Sequence, residues 1–144
     1  MAMALDRAKV DAMVDRHFHF EVTDDVEGVL STMRPEAVHD TVGSPTGPLQ
    51  GREQARGFYA QLFADLKGEA VETVRRYYGE GFVVDESVWR GRAVGAPFGI
   101  PGKNKPLTFR ILHVFELSED AEILRENVWI DFMAIFAQLQ APSP

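Results

Sequence analysis

From Val71 to Phe132 the chain runs in four long stretches whose apolar residues tend to recur at every second position. This alternation constrains the fold more than any other feature, because a period of two marks a strand with one face turned to a core. The stretches are Val71–Tyr78, Phe82–Val94, Leu107–Leu117 and Ile123–Phe132. Gly79-Glu80-Gly81 separates the first two. Gly95–Asn104, with three Gly and two Pro, separates the next, and Ser118–Glu122 the last. Strands joined in this way are expected to pair antiparallel.

Upstream the apolar period is helical. Val10, Met13, Val14, His17 and Phe18 form one stripe of a helix expected over about Leu5–Phe20. A second helix is expected from Asp24, where Asp24 and Glu27 resemble a capping box, to Pro35. Ala37–Val42 reads as a short strand, and Gly43–Pro48 as a turn. A third helix is expected over about Arg52–Leu66, closed by Gly68. The tail Met133–Leu139 fits either helix or extended chain. Helices first and a strand meander afterwards point to an α+β fold.

A chain of 144 residues, 45% of them apolar, suits one domain spanning 1–144. Its net charge of −7 repels phosphate backbones and anionic lipid, so neither nucleic acid nor a membrane is an expected partner. Met1–Val10 has no apolar signal-peptide core, and the absence of cysteine rules out disulfides and thiol chemistry. A cytoplasmic location is the expectation.

Three groups of residues carry a family resemblance. The first is His39-Asp40-Thr41-Val42-Gly43-Ser44 after a helix pair. The second is Gly51-Arg52-Glu53 opening a helix that holds Phe58-Tyr59. The third is the loop Gly95–Pro101, then His113-Val114-Phe115, Trp129-Ile130-Asp131 and Gln138-Leu139. In this order they resemble the nuclear transport factor 2-like superfamily, on the branch of SnoaL-like polyketide cyclases and ketosteroid isomerases. The resemblance covers nearly the whole chain. It implies a cone-shaped, curved antiparallel sheet wrapped around three N-terminal helices, with a pocket at the open end. It also implies cofactor-free acid/base chemistry, of isomerase, cyclase or lyase type, on a small hydrophobic carbonyl or polyketide-like molecule. The alternative is a non-catalytic ligand-binding or dimerisation protein of the same fold.

Asp40, by its match to the isomerase pattern, stands where that family keeps a general base; otherwise it caps the Gly43 turn. His113 shares a strand face with Phe109, Ile111 and Phe115, and is either a donor to a substrate oxygen or a core histidine. Asp131 matches the cyclase acid/base; it shares strand parity with Asn127 and Trp129, and the three line the pocket if that face is concave. His17 stands roughly where the isomerases carry a Tyr, and is a substrate contact or a buried histidine. Tyr59 and Trp89 are candidates for the pocket wall. His17 and His19, two apart on a helix, face different ways, so no metal site is expected. A homodimer is expected from outward apolar positions such as Val74, Val88, Val114 and Val128.

Overall fold

The structure, a computed structural model, describes residues 5–142. Helix α1 (Arg7–Val22) is capped by Asp6, which accepts from the Ala8 backbone, and its stripe of Val10, Met13, Val14, His17 and Phe18 is buried as expected. Helix α2 (Val26–Ser31) is capped by Asp25, which accepts from Gly28 N. Asp24, the residue expected to cap, instead adopts a left-handed φ of 55° and pairs with Lys67. The helix stops at Ser31, and strand β1 (Met33–Thr41) begins two residues later. Pro35 therefore lies inside a strand. It is tolerated because pairing with the neighbouring strand is interrupted between Met33 and Val38, where no amide is needed.

After a two-residue strand β2 (Leu49–Gln50) comes helix α3 (Gly51–Asp65). Arg52, from its first turn, donates to the Met33 carbonyl and ties the helix to β1. The chain turns extended at Leu66 and enters strand β3 (Leu66–Gly79) directly, so Gly68 lies within the strand and does not close the helix. Strands β4 (Phe82–Ala93), β5 (Lys105–Leu117) and β6 (Ile123–Ile130) follow, and the tail is helical as α4 (Phe132–Gln140). Gly91 is required where β3 and β4 bend together, because a Cβ there would collide with the Lys67 carbonyl.

The sheet order is β2-β1-β6-β5-β4-β3. The meander β3–β6 is antiparallel as expected, but β1 joins β6 in parallel, so the sheet is mixed. A parallel pair needs a long connection, and here α3 and four strands supply it. The sheet is curved and unclosed, an α+β cone. Its inner face meets α1 on β3, α3 on β1 and β3, and α4 on β5. Two apolar clusters fill it: one under α1, α2 and α3, the other around Leu66, Trp89, Phe109, Ile135 and Leu139.

A buried ion network fastens α1 to the sheet. Arg76 of β3 donates to Asp85 at 2.9 Å, to Asp11 at 2.7 Å and to Asp15 at 3.0 Å. Asp85 is fully buried and also accepts from Thr73 and Ser87. Burial works against the guanidinium charge, but the three carboxylates prevail and raise its pKa. Replacing Arg76 by Met leaves the Asp85 carboxylate buried without a counter-charge. The expected cost is roughly 3–5 kcal/mol in urea unfolding. A loss below about 1 kcal/mol, the range of an exposed pair, would show that the network is merely superficial.

Candidate active site

Glu126 stands at the centre of the cone. On β6 it shares its face with Val128 and Ile130, which turn inward, and it is fully buried. A buried carboxylate must be paired and hydrogen-bonded, or it would take up a proton. Glu126 is paired on every side. Tyr59 of α3 donates its hydroxyl to Oε1 at 2.8 Å. Oε2 lies 3.3 Å from His17 Nε2, 3.5 Å from His113 Nε2 and 3.8 Å from His39 Nε2. His17 Nε2 also lies 3.2 Å from Glu21 Oε1, one helical turn away on α1.

The hydrogen bonds fix the state of His17. Its Nδ1 is 2.8 Å from Thr32 Oγ1, and that hydroxyl spends its own proton on the Val29 carbonyl. Nδ1 must therefore donate. Nε2 faces two carboxylates and must donate as well, so His17 is an imidazolium. Burial works against that charge, yet Glu126 and Glu21 raise its pKa to about 10. Burial likewise disfavours the Glu126 charge, and the imidazolium holds its pKa well below the ordinary glutamate value. Burial and the nearby Glu126 push the Tyr59 hydroxyl well up. Burial lowers the pKa of His39, against the pull of Glu126 and Glu21.

His39 and His113 each turn Nε2 toward Glu126, and each has a buried Nδ1 with no partner among the described residues. Both line a cavity between the two apolar clusters, together with Tyr59, Trp89, Phe109 and Phe98. The cavity leaves ≈ 40 Å³ for water centres. At about 10–15 Å³ per water that is room for roughly three. Phe98 forms part of its wall and packs edge-on against Phe132 at 5.0 Å.

The predicted residues divide sharply. His113, Tyr59 and Trp89 line the cavity, and His17 lies just behind it against Glu126. Asp40, Asp131, Asn127 and Trp129 do not reach it. Asp40 is on the outer face of β1, paired with Arg125 at 2.9 Å, and not in the cavity where a general base would stand. Asp131 caps α4 by accepting from Ala134 N at 3.1 Å, so it ends the strand and lies outside the pocket. Asn127 bonds Arg125, Val114 and Glu116 on the outer face, and Trp129 is 43% exposed. Asn127 and Trp129 lie on the convex face of β6, and Asp131 lies just past its end. Val128, expected outside, is inside and 4% exposed.

Sequence reading missed Glu126, Glu21 and His39. One signal was available: Glu126 alternates with Val128 and Ile130, and a carboxylate on an apolar strand face needs buried partners. His39, likewise, alternates with the buried Ala37 and Thr41. The metal argument had weighed only His17 against His19 on one helix. In the folded chain His17 meets Glu21, His113 and Glu126, whose ligand atoms all lie within 4.8 Å of one another.

The family model of the SnoaL-like polyketide cyclases matches residues 12–139. No curated protein matches the chain by sequence. Several solved structures share the fold. A protein from Jannaschia sp. CCS1, assigned as a SnoaL-like polyketide cyclase, has a TM-score of 0.81 and 21% identity over 94% of both chains. An LEH-like epoxide hydrolase of M. tuberculosis has a TM-score of 0.71 and 16% identity, over 92% of this chain and 90% of its own. TerC, co-crystallised with polyporic acid, has a TM-score of 0.75 and 15% identity, over 92% and 99%.

Proposed function

The chain belongs to the SnoaL-like polyketide cyclase family, and from that membership we propose that it moves a proton on a small, largely apolar carbonyl or polyketide-like molecule held in the cone cavity. One observation supports this above the others. Two imidazoles on the cavity wall, His39 and His113, face the same buried carboxylate and keep a free Nδ1. Glu126 favours the tautomer with the proton on Nε2, which leaves Nδ1 as a lone pair for a substrate proton. This is the logic of a base oriented by a carboxylate. In the proposed step Nδ1 of His39 takes a proton from the carbon beside the carbonyl. Glu126 steadies the imidazolium that forms, and the same ring returns the proton to the product oxygen. His113, facing the same carboxylate, is the second candidate for this role. Asp40 and Asp131 carry none of it.

The apolar wall of Trp89, Phe109 and Ile111 suits an organic occupant. The co-crystal of the similarly folded TerC with polyporic acid supports the same kind of ligand. We assay His39→Gln, His113→Gln and Asp131→Asn on a panel of polyketide-like and enone molecules. Loss of the general base is expected to cost about a hundredfold or more, in the His39 or the His113 variant, while Asp131→Asn stays near wild type. Wild-type rates in both histidine variants would refute the role given to the imidazoles. Tight ligand binding with no turnover would favour the ligand-binding protein.

A homodimer is proposed on the same footing. Val74, Tyr77, Trp129, Met133 and Phe136 are apolar or aromatic and between 43% and 78% exposed, and a second copy would cover such side chains. Light scattering is expected to give twice the chain mass of 16.1 kDa, and a mass of 16.1 kDa would contradict it.

A further inference from the structure

The floor of the cavity carries more negative charge than one proton-bearing histidine balances. Two carboxylates, Glu126 and Glu21, converge on His17 Nε2. Glu126 is fully buried, and the Glu21 side chain is 12% exposed. His113 Nε2 reaches the same Glu126 oxygen. These four groups come from one helix and two adjacent strands, and each offers one nitrogen or oxygen atom to a common point.

From this juxtaposition we propose that His17, Glu21, His113 and Glu126 form a site for a tetrahedrally coordinated divalent cation of the zinc type. The distances carry the argument. With metal–ligand bonds of ~2.0–2.1 Å, the edges of a tetrahedron are ~3.3–3.4 Å. Three edges of this set measure 3.2 Å (His17–Glu21), 3.3 Å (His17–Glu126) and 3.5 Å (His113–Glu126). The remaining ligand atoms lie within 4.8 Å, so a small inward movement closes the set. Two imidazoles and two carboxylates are donors that suit zinc.

The surroundings are those of a held metal site. His17 donates Nδ1–H to Thr32, which fixes its ring with Nε2 aimed at the centre. Tyr59 donates to the second oxygen of Glu126 and leaves Oε2 for the ion. Such outer contacts orient ligands in metal proteins. The neighbouring His39, 2% exposed, adds a buried ring with an unpartnered nitrogen beside the cluster. The cation takes the place of the proton on His17 Nε2, which leaves to solvent, and the His113 proton moves from Nε2 to the unpartnered Nδ1 of the same ring.

This proposal goes beyond proton transfer and does not rest on it. A bound ion would occupy the Glu126 oxygen and the His113 nitrogen that the proton-transfer reading uses, so the ion would compete with that chemistry. Binding is read without any substrate, so the failure of one reading leaves the other standing.

The full chain, stripped with a chelator, is titrated with Zn²⁺ by calorimetry and with Co²⁺ by visible absorption. One equivalent per chain is expected, with the intense absorption of tetrahedral Co²⁺. Glu21→Gln, at the least buried ligand, and His113→Gln should each abolish stoichiometric binding. Thr32→Val should weaken it roughly 10–100-fold. Asp40→Asn, on the outer face, should bind as wild type. Absence of stoichiometric binding by the wild-type chain overturns the proposal. So does binding that Glu21→Gln and His113→Gln both leave unchanged, because the ion then sits elsewhere. Circular dichroism on each variant separates loss of ligand from loss of fold.

Discussion

Everything else in this cone is arranged around one carboxylate that has no exposure to bulk solvent. Glu126 could not be charged there unless its partners were already in place. Those partners come from every layer. α1 supplies His17, β1 supplies His39, α3 supplies Tyr59, and β5 supplies His113. Thr32, between α2 and β1, secures His17 from behind. The charge therefore couples the helical layer to the sheet. It also fixes the register of β6, since a shift of one residue would turn Glu126 to the convex side and Asn127 into the core.

The same carboxylate is the centre of the chemistry proposed for the cavity. An apolar shell of Phe58, Phe63, Trp89 and Phe109 keeps the local dielectric low, so each polar group inside is worth more and must be matched. Glu126 orients His39 and His113 so that their outer nitrogens remain uncommitted. The imidazolium of His17 offsets one of the two glutamate charges from behind, and a divalent cation is the other occupant, with the charge to match both. Proton and metal are thus alternatives at one point.

Much of the fold is legible in the sequence because it is written in local periods. The alternation in β5 places Phe109, His113 and Phe115 on the inner face, and the stripe of α1 buries His17. What is not legible depends on pairing between distant segments. Asp131, Trp129 and Asn127 share a parity that any reading of β6 reveals, but which face is concave is decided by β1 and β5. Asp40 matches a family pattern locally, yet its register beside β6 delivers it to Arg125 on the outside and its neighbour His39 to the inside. Glu126 was hidden for a related reason: a glutamate is ordinarily a surface residue, and only the convergence of four partners makes its burial tenable. No homohelical spacing rule could have found the metal-type cluster, which draws on one helix and two strands.

The central claim is that Glu126 sets where His17 and His39 carry their protons. Long-range ¹H–¹⁵N spectra of the imidazole rings, recorded near neutral pH on the chelator-stripped chain, test it most directly. The account predicts His17 protonated on both nitrogens, and His39 with its proton on Nε2 and a bare Nδ1. Replacing Glu126 by Gln should abolish that pattern in both rings. A neutral His17, or a His39 that carries its proton on Nδ1 in the wild-type chain, would contradict it.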